Sequence, residues 1–276
     1  MPNPSYAPDD APSVADLFSM RGKTALIVGG AGLLGGEIAF AFAELGASLI
    51  IASRDLEKCR GYAARIVARF PAASVHALEV DIAVPDSIRL LCEAVGLLTG
   101  GVLDILVNSG WSGRKNSFDS ITDEDWDYDV EICLNGPFRT VKAALPLLKA
   151  SRGNILTLAS MYGHVAPDYR LYDSDRLANP PSYGAGKAGV IQLTRYLASF
   201  LSPHGIRANC ISPGPFPFEQ TQADHPEFIE RLAAKNPLNR IGRPYELKGA
   251  AVLLCSDAGS YITGQNICVD GGWSVW

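Results

Sequence analysis

Seven short runs rich in apolar and β-branched residues recur along this chain, and helical patterns separate them. The runs are TALIVG (24–29), SLIIAS (48–53), SVHALEV (74–80), LDILVN (103–108), GNILTLAS (153–160), GIRANCIS (205–212) and NICVD (266–270). Helix-like segments fall at about 34–45, 55–69, 85–97, 123–150, 183–202 and 244–256. A strand that is apolar on both faces must be covered on both. Strands of this kind alternating with helices therefore predict a seven-stranded parallel sheet with helices on each side. The fold class is α/β, doubly wound, and its ligand belongs at the carboxyl ends of the strands.

No repeat, low-complexity segment or internal linker divides the alternation, so residues 19–276 read as one domain. Residues 1–18 are rich in Pro and Asp and read as a flexible extension or an arm on a neighbouring subunit. The start lacks the basic and apolar pattern of a signal peptide. The apolar stretch from Thr24 to Ala52 contains Glu37, Glu44 and several glycines, which fit a buried strand–helix–strand better than a membrane span. A cytoplasmic location is expected, with no membrane partner. A net charge of −5 gives no reason to expect a nucleic-acid partner. The six cysteines (Cys59, Cys92, Cys133, Cys210, Cys255 and Cys268) form no C-x-x-C pair, and the four histidines do not cluster with them. Buried reduced thiols are expected, and no metal site.

The loop after the first strand reads VGGAGLLGG (28–36), with Gly29, Gly32 and Gly35 spaced by three. That spelling is neither G-x-G-x-x-G nor the nucleoside-triphosphate loop. The helix that follows begins near Leu34, and a helix start attracts phosphate through its free N–H groups and dipole. The alternative is a glycine-rich packing turn, and Gly36 is read as looser helix packing. The second strand ends at Ser53, with Arg54 and Asp55 next. An acidic strand tip would favour NAD by binding the ribose 2′-hydroxyl. Ser53 and Arg54 suit a 2′-phosphate instead, so NADP is preferred and NAD stays an alternative. Asp55 reads as the cap of the next helix.

In SYGAGK (182–187), Tyr183 and Lys187 are four apart and share a helix face. A free phenol has a pKa near ~10, and a neighbouring ammonium stabilises its phenolate. Gly184, Gly186 and Gly189 crowd the same helix at a cost of about 1 kcal/mol each relative to Ala, so something approaches it closely. Ser160 ends the fifth run and brings a hydroxyl to the carboxyl edge. Asn135, inside the preceding long helix, suits a held water, a kinked backbone or a plain structural hydrogen bond.

With Asn135, Ser160, Tyr183 and Lys187 in this order, the chain resembles the short-chain dehydrogenase/reductase family from about Met20 to Trp276. The resemblance implies a Rossmann fold and a catalytic tetrad. Tyr183 would exchange the proton, Ser160 would polarise the substrate oxygen, Lys187 would lower the tyrosine pKa and hold the nicotinamide ribose, and Asn135 would support a water relay. It also implies cofactor contacts from Asp81 and neighbouring Ile82, from Asn108 and Gly110, from the Pro213-Gly214 turn, and from Phe216 beyond it. A homo-oligomer, tetramer or dimer, is implied as well. RIGRPYEL (240–247) and YITGQNICVDGGW (261–273) match the family's closing segment.

Several positions depart from the family pattern. Leu33 stands at the middle glycine, as in the extended branch, yet the chain ends soon after VDGGW and the single-domain reading holds. Asn108-Ser109-Gly110-Trp111 replaces N-N-A-G, and Trp111 reads as a cap on the pocket or as a core aromatic. After Pro213-Gly214 the first threonine is Thr221. Ser160 and Tyr183 lie 23 apart, a longer interval than the family's usual one. The insert at 164–181 offers Tyr169, Arg170, Tyr172 and Arg176 to a hydroxylated or carboxylated substrate, or forms a surface loop. Arg114 and Lys115 could add positive charge to the same mouth. These features point to an NAD(P)-dependent oxidoreductase that interconverts a secondary alcohol and a ketone on a small polar substrate: a sugar, sugar acid or polyol. The alternatives are a 3-oxoacyl-carrier reductase and a cofactor-sensing scaffold without turnover.

Overall fold

Strand residues alternate strictly between two apolar layers. Ala25, Ile27, Leu49, Ile51, Ile105, Val107 and Leu156 face one core; Leu26, Val28, Ile50, Ala52, Leu106 and Ile155 face the other. Both faces are dry, as the apolar runs require. A computed structural model describes residues 11–114, 116–173 and 178–275. The strands are β1 (Thr24–Val28), β2 (Ser48–Ser53), β3 (Val75–Glu79), β4 (Ile105–Asn108), β5 (Asn154–Leu158), β6 (Arg207–Pro213) and β7 (Asn266–Val269). They form one parallel sheet in the order β3-β2-β1-β4-β5-β6-β7. The strand order reverses between β1 and β4, where Val28 lies opposite Asn108 and a crevice opens at the carboxyl ends.

The helices are α1 (Val14–Phe18), α2 (Leu33–Glu44), α3 (Leu56–Arg69), α4 (Pro85–Thr99), α5 (Asp123–Val130), α6 (Gly136–Ser151), α7 (Pro181–Leu201), α8 (Glu219–Asp224), α9 (Pro226–Lys235) and α10 (Lys248–Cys255). The sequence reading places all the strands, and its differences are local. The fifth strand stops at Leu158, so Ser160 lies beyond it as the N-cap of a short 3₁₀ turn. The helix expected over 123–150 is interrupted by a π turn at Glu131–Asn135. The sequence reading missed α8 and α9, although Phe228, Ile229 and Leu232 carry helical spacing. Within the expected extension, Val14–Phe18 form a helix capped by Ser13. Gly36 is a tight contact rather than a loose one, since an added Cβ would lie 2.5 Å from the Tyr62 ring. Five cysteines are buried and Cys268 is exposed.

The glycines of α7 have a structural cause. A Cβ on Gly186 would lie 2.6 Å from the Cβ of Cys133, and one on Gly189 would lie 3.0 Å from Leu134. The group that approaches α7 closely is therefore the π turn, pressed into a face cleared of side chains. Gly186→Val should destabilise the protein by about 1–3 kcal/mol through overpacking, measured as a lower unfolding midpoint in calorimetry. An unchanged midpoint would mean that the two elements do not bear on each other.

Candidate active site

The crevice is a cavity of about 890 Å³, a size suited to a cofactor or small ligand. Following the sheet order, its lining passes from Ser53 and Arg54 after β2, through Gly29 after β1 and Gly110 after β4, to Ser160 after β5 and Pro213-Gly214 at β6. Further walls come from α7, α8, α9 and the insert.

Each glycine after β1 has a separate task. Gly29 turns the chain at φ +82°, and its N–H donates to Ala52 O at 2.7 Å. A Cβ there would lie 2.6 Å from Gly110 N, so the two loops touch backbone to backbone. Gly35 makes room for Gly29 and for Ser109, whose hydroxyl donates to Val28 O at 2.7 Å. Gly32 is the N-cap of α2 and has no capping side chain. Its missing Cβ would meet only Gly29 O, at 3.1 Å. The first-turn amides at Leu33, Leu34 and Gly35 therefore lie at the cavity without a side chain over them, and they fit a pyrophosphate.

At the β2 end, Ser53 shares its hydroxyl with Cys59 and the Asp55 backbone. The Asp55 carboxylate caps α3 at Lys58 N, 2.8 Å away, as expected. Arg54 is exposed and reaches the Tyr128 hydroxyl at 3.4 Å. Lys58 also lines the cavity; the sequence reading missed it, although its spacing of four from Arg54 was visible. Ile82 lines the wall and Asp81 does not. Its carboxylate accepts from Ala83 N at 2.9 Å, so Asp81 shapes the turn that presents Ile82. Asn108 is buried beneath the loop, and its amide nitrogen has no hydrogen-bond partner among the described residues.

Ser160, Tyr183 and Lys187 converge on the cavity. Ser160 accepts from Tyr162 N at 3.1 Å, which leaves its own proton for Tyr183, and the two hydroxyls are hydrogen-bonded. Lys187 is buried and donates to Leu158 O at 2.7 Å. Its ammonium lies 5.7 Å from the centre of the Tyr183 ring. The sequence reading expected this ammonium to lower the phenol pKa. In the structure the phenol is pushed up to about 12, because burial disfavours the phenolate more than the Ser160 hydrogen bond favours it. Burial likewise lowers Lys187. Asn135 does not line the cavity; its amide donates to Glu131 at 2.9 Å, and Glu131 also pairs with Arg139. Fully buried Asp129, missed in the sequence, accepts from Ser182 at 2.7 Å and from Arg114 N at 3.0 Å. It thereby ties the start of α7 to the loop that carries Trp111.

The far end of the cavity is aromatic. Trp111 is 42% exposed and meets the Tyr183 ring edge-on at 4.5 Å, so it caps the pocket rather than filling a core. Phe216, Phe218, Thr221, Phe228 and Tyr172 also line this end. Arg170 and Tyr169 do not: Arg170 forks onto Asp168 at 2.8 and 2.7 Å, an arrangement that holds the Asp168 carboxyl down at about 2. Arg114 pairs with Asp125. Lys115, Arg176 and Trp276 lie outside the described residues. Among the described residues, no cluster of His, Cys, Asp or Glu could hold a metal, and no helix is long and apolar enough to cross a membrane.

Comparison with known proteins agrees with this geometry. Residues 30–274 match a family model described as Enoyl-(Acyl carrier protein) reductase. A rhamnolipids biosynthesis 3-oxoacyl-[acyl-carrier-protein] reductase of Pseudomonas aeruginosa is 32% identical over 94% of this chain and 98% of its own length. Among solved structures, the RhlG/NADP active-site complex of P. aeruginosa superposes with a TM-score of 0.85 at 32% identity, covering 94% of this chain and 99% of the other. A gluconate 5-dehydrogenase of Burkholderia cenocepacia in complex with NADP and tartrate gives 0.85 at 30% identity, covering 96% and 100%. The chain belongs to the short-chain dehydrogenase/reductase family and is an NAD(P)-dependent oxidoreductase.

Proposed function

We propose that this protein interconverts a secondary alcohol and a ketone on a compact hydroxylated substrate, a sugar or polyol, and that NADP is its cofactor. The observation that carries the reading is the convergence of Ser160, Tyr183 and Lys187 between a phosphate-type cradle and an aromatic pocket. When bound, the nicotinamide supplies or takes up the hydride. Tyr183 is a neutral phenol at ordinary pH and donates its proton to the carbonyl oxygen in reduction. Ser160 donates to the same oxygen and stabilises its developing charge. Lys187 spends one donor on Leu158 and keeps others for a ribose hydroxyl. Asn135 acts through the π turn, which presses on α7 beside Lys187.

Arg54 and Lys58 are two cations at the β2 end of the cavity, and the Asp55 carboxylate there is turned to cap Lys58 N, which supports NADP over NAD. The relatives crystallised with NADP agree. For the substrate, the gluconate dehydrogenase relative supports a sugar-like molecule, but Arg170 is committed to Asp168, which speaks for a sugar or polyol over a sugar acid. A second reading, a 3-oxoacyl-carrier reductase, is supported by the apolar wall of Trp111, Phe218 and Phe228 and by the Pseudomonas relative. Acetoacetyl thioesters and polyols assayed in parallel separate the two readings.

Tyr183→Phe should lower turnover by about 10²–10⁴-fold, the usual worth of a positioned acid–base group, while calorimetry shows NADPH binding unchanged. Retained turnover would remove Tyr183 as the proton carrier. Arg54→Ala combined with Lys58→Ala should weaken NADPH binding by roughly 10–100-fold through lost charge-assisted bonds and leave NADH binding as it was; equal losses for both would refute the 2′-phosphate assignment. Alcohol oxidation needs the phenolate, so its kcat/KM should climb with pH from 6 to 10. Ketone reduction needs the neutral phenol and should stay flat until the phenol ionises. Parallel pH profiles in the two directions test the sign.

A further inference from the structure

The insert at 164–181 is fastened to α9 from three sides. Arg231 donates to Leu171 O at 2.9 Å and pairs with Asp173 at 2.7 Å. The Tyr172 ring lies 5.4 Å from Phe228 at a 42° tilt. Leu171, Phe228 and Ile229 then pack onto a buried cluster of Met161, Tyr162, Leu232 and Trp273, and Tyr183 packs on it too. These contacts carry Tyr172 into the cavity wall, where its hydroxyl lies 2.6 Å from that of Tyr162. Tyr162 is two residues beyond Ser160 and also lines the cavity.

Two phenols at this distance share one hydrogen bond. Each has a single O–H, so only one proton lies between the oxygens. The other proton points elsewhere, and among the described residues neither hydroxyl has a second partner. Burial raises the pKa of both groups, so both are neutral donors at working pH. A neutral donor facing an aromatic pocket suits a neutral oxygen acceptor on a compact ring or chain whose apolar C–H face lies against Trp111 and Phe228.

We propose that the Tyr162–Tyr172 phenol pair is the substrate-orienting element of this site. Its spare O–H binds a second oxygen next to the reacting one, and the favoured substrates are therefore vicinal diols and α-hydroxy ketones. The insert is what supplies half of this pair. The proposal rests on the alcohol–ketone reading above and deepens it.

The test compares trans-cyclohexane-1,2-diol with cyclohexanol, following NADP⁺ reduction by the full-length protein. The wild type should favour the diol in kcat/KM by about five- to tenfold, the worth of one neutral hydrogen bond. Tyr172→Phe keeps the ring on Phe228 and should bring that ratio close to one, mainly through KM; Tyr162→Phe should do the same. Tyr169→Phe removes an exposed phenol of the same insert that lies outside the cavity, and should keep the ratio. A ratio that survives in both Tyr162 and Tyr172 variants, or a wild type that does not distinguish the alcohols, overturns the proposal. So does a wild type that binds NADPH and oxidises neither alcohol. Turnover that persists in Tyr183→Phe overturns the underlying reading instead, whatever the pair does.

Discussion

Everything in this molecule depends on the requirement that a parallel sheet be covered on both faces. Residues of β1 alternate between two dry layers, so the chain must leave its end upward on one face and return through a helix. Because β2 and β4 lie on opposite sides of β1, the loops above them part and a crevice opens. The loop that bridges this crevice cannot carry side chains at Gly29 or Gly35, because the β4 loop is already in the way. The phosphate-type cradle is thus first a packing solution, and its exposed helix N-terminus becomes useful because Gly32 leaves it bare.

The same pattern recurs at Ser160, Tyr183 and Lys187. A buried ammonium and a partly buried phenol are costly to hold, and each is satisfied by a neighbour that the fold places for other reasons. Leu158 O is free to accept from Lys187 at the strand end, and Ser160 is free to bond Tyr183 because its lone pair already serves as a cap. The π turn fits α7 only because Gly186 and Gly189 lack side chains, so the helix that carries Tyr183 and Lys187 is set closely against Cys133 and Leu134. Its glycines, unfavourable in isolation, make that register possible.

The insert obeys a different logic. Arg231 and Asp173 form a partly exposed pair, and such pairs contribute at most about 1 kcal/mol. Its contribution is local: it joins Leu171 and Asp173 of the insert to α9. The loop and α9 then behave as one wall, with Trp273 from the chain's end buried beneath it.

The strands, the cap at Asp55 and the Tyr183–Lys187 spacing were legible in the sequence, because each depends on residues within a turn or two of each other. Period-two apolar runs and a spacing of four are local signals, and local geometry converts them directly into faces. That Asp81 and Asn108 lie behind the cavity wall was not legible, because strand-end position does not reveal which way a carboxylate or amide bonds. The upward push on the Tyr183 phenol was not legible either, because burial is a property of the assembled core. Asp129 and the fastening of Tyr172 in the cavity wall needed contacts between segments far apart in sequence, with Asp129 and Ser182 separated by 53 positions and Asp173 and Arg231 by 58. The sequence by itself determined the doubly wound sheet and the shared helix face of Tyr183 and Lys187, which are written in periodicities. The shape of the substrate pocket was decided only by tertiary structure, because its walls are distant segments whose meeting no local pattern encodes.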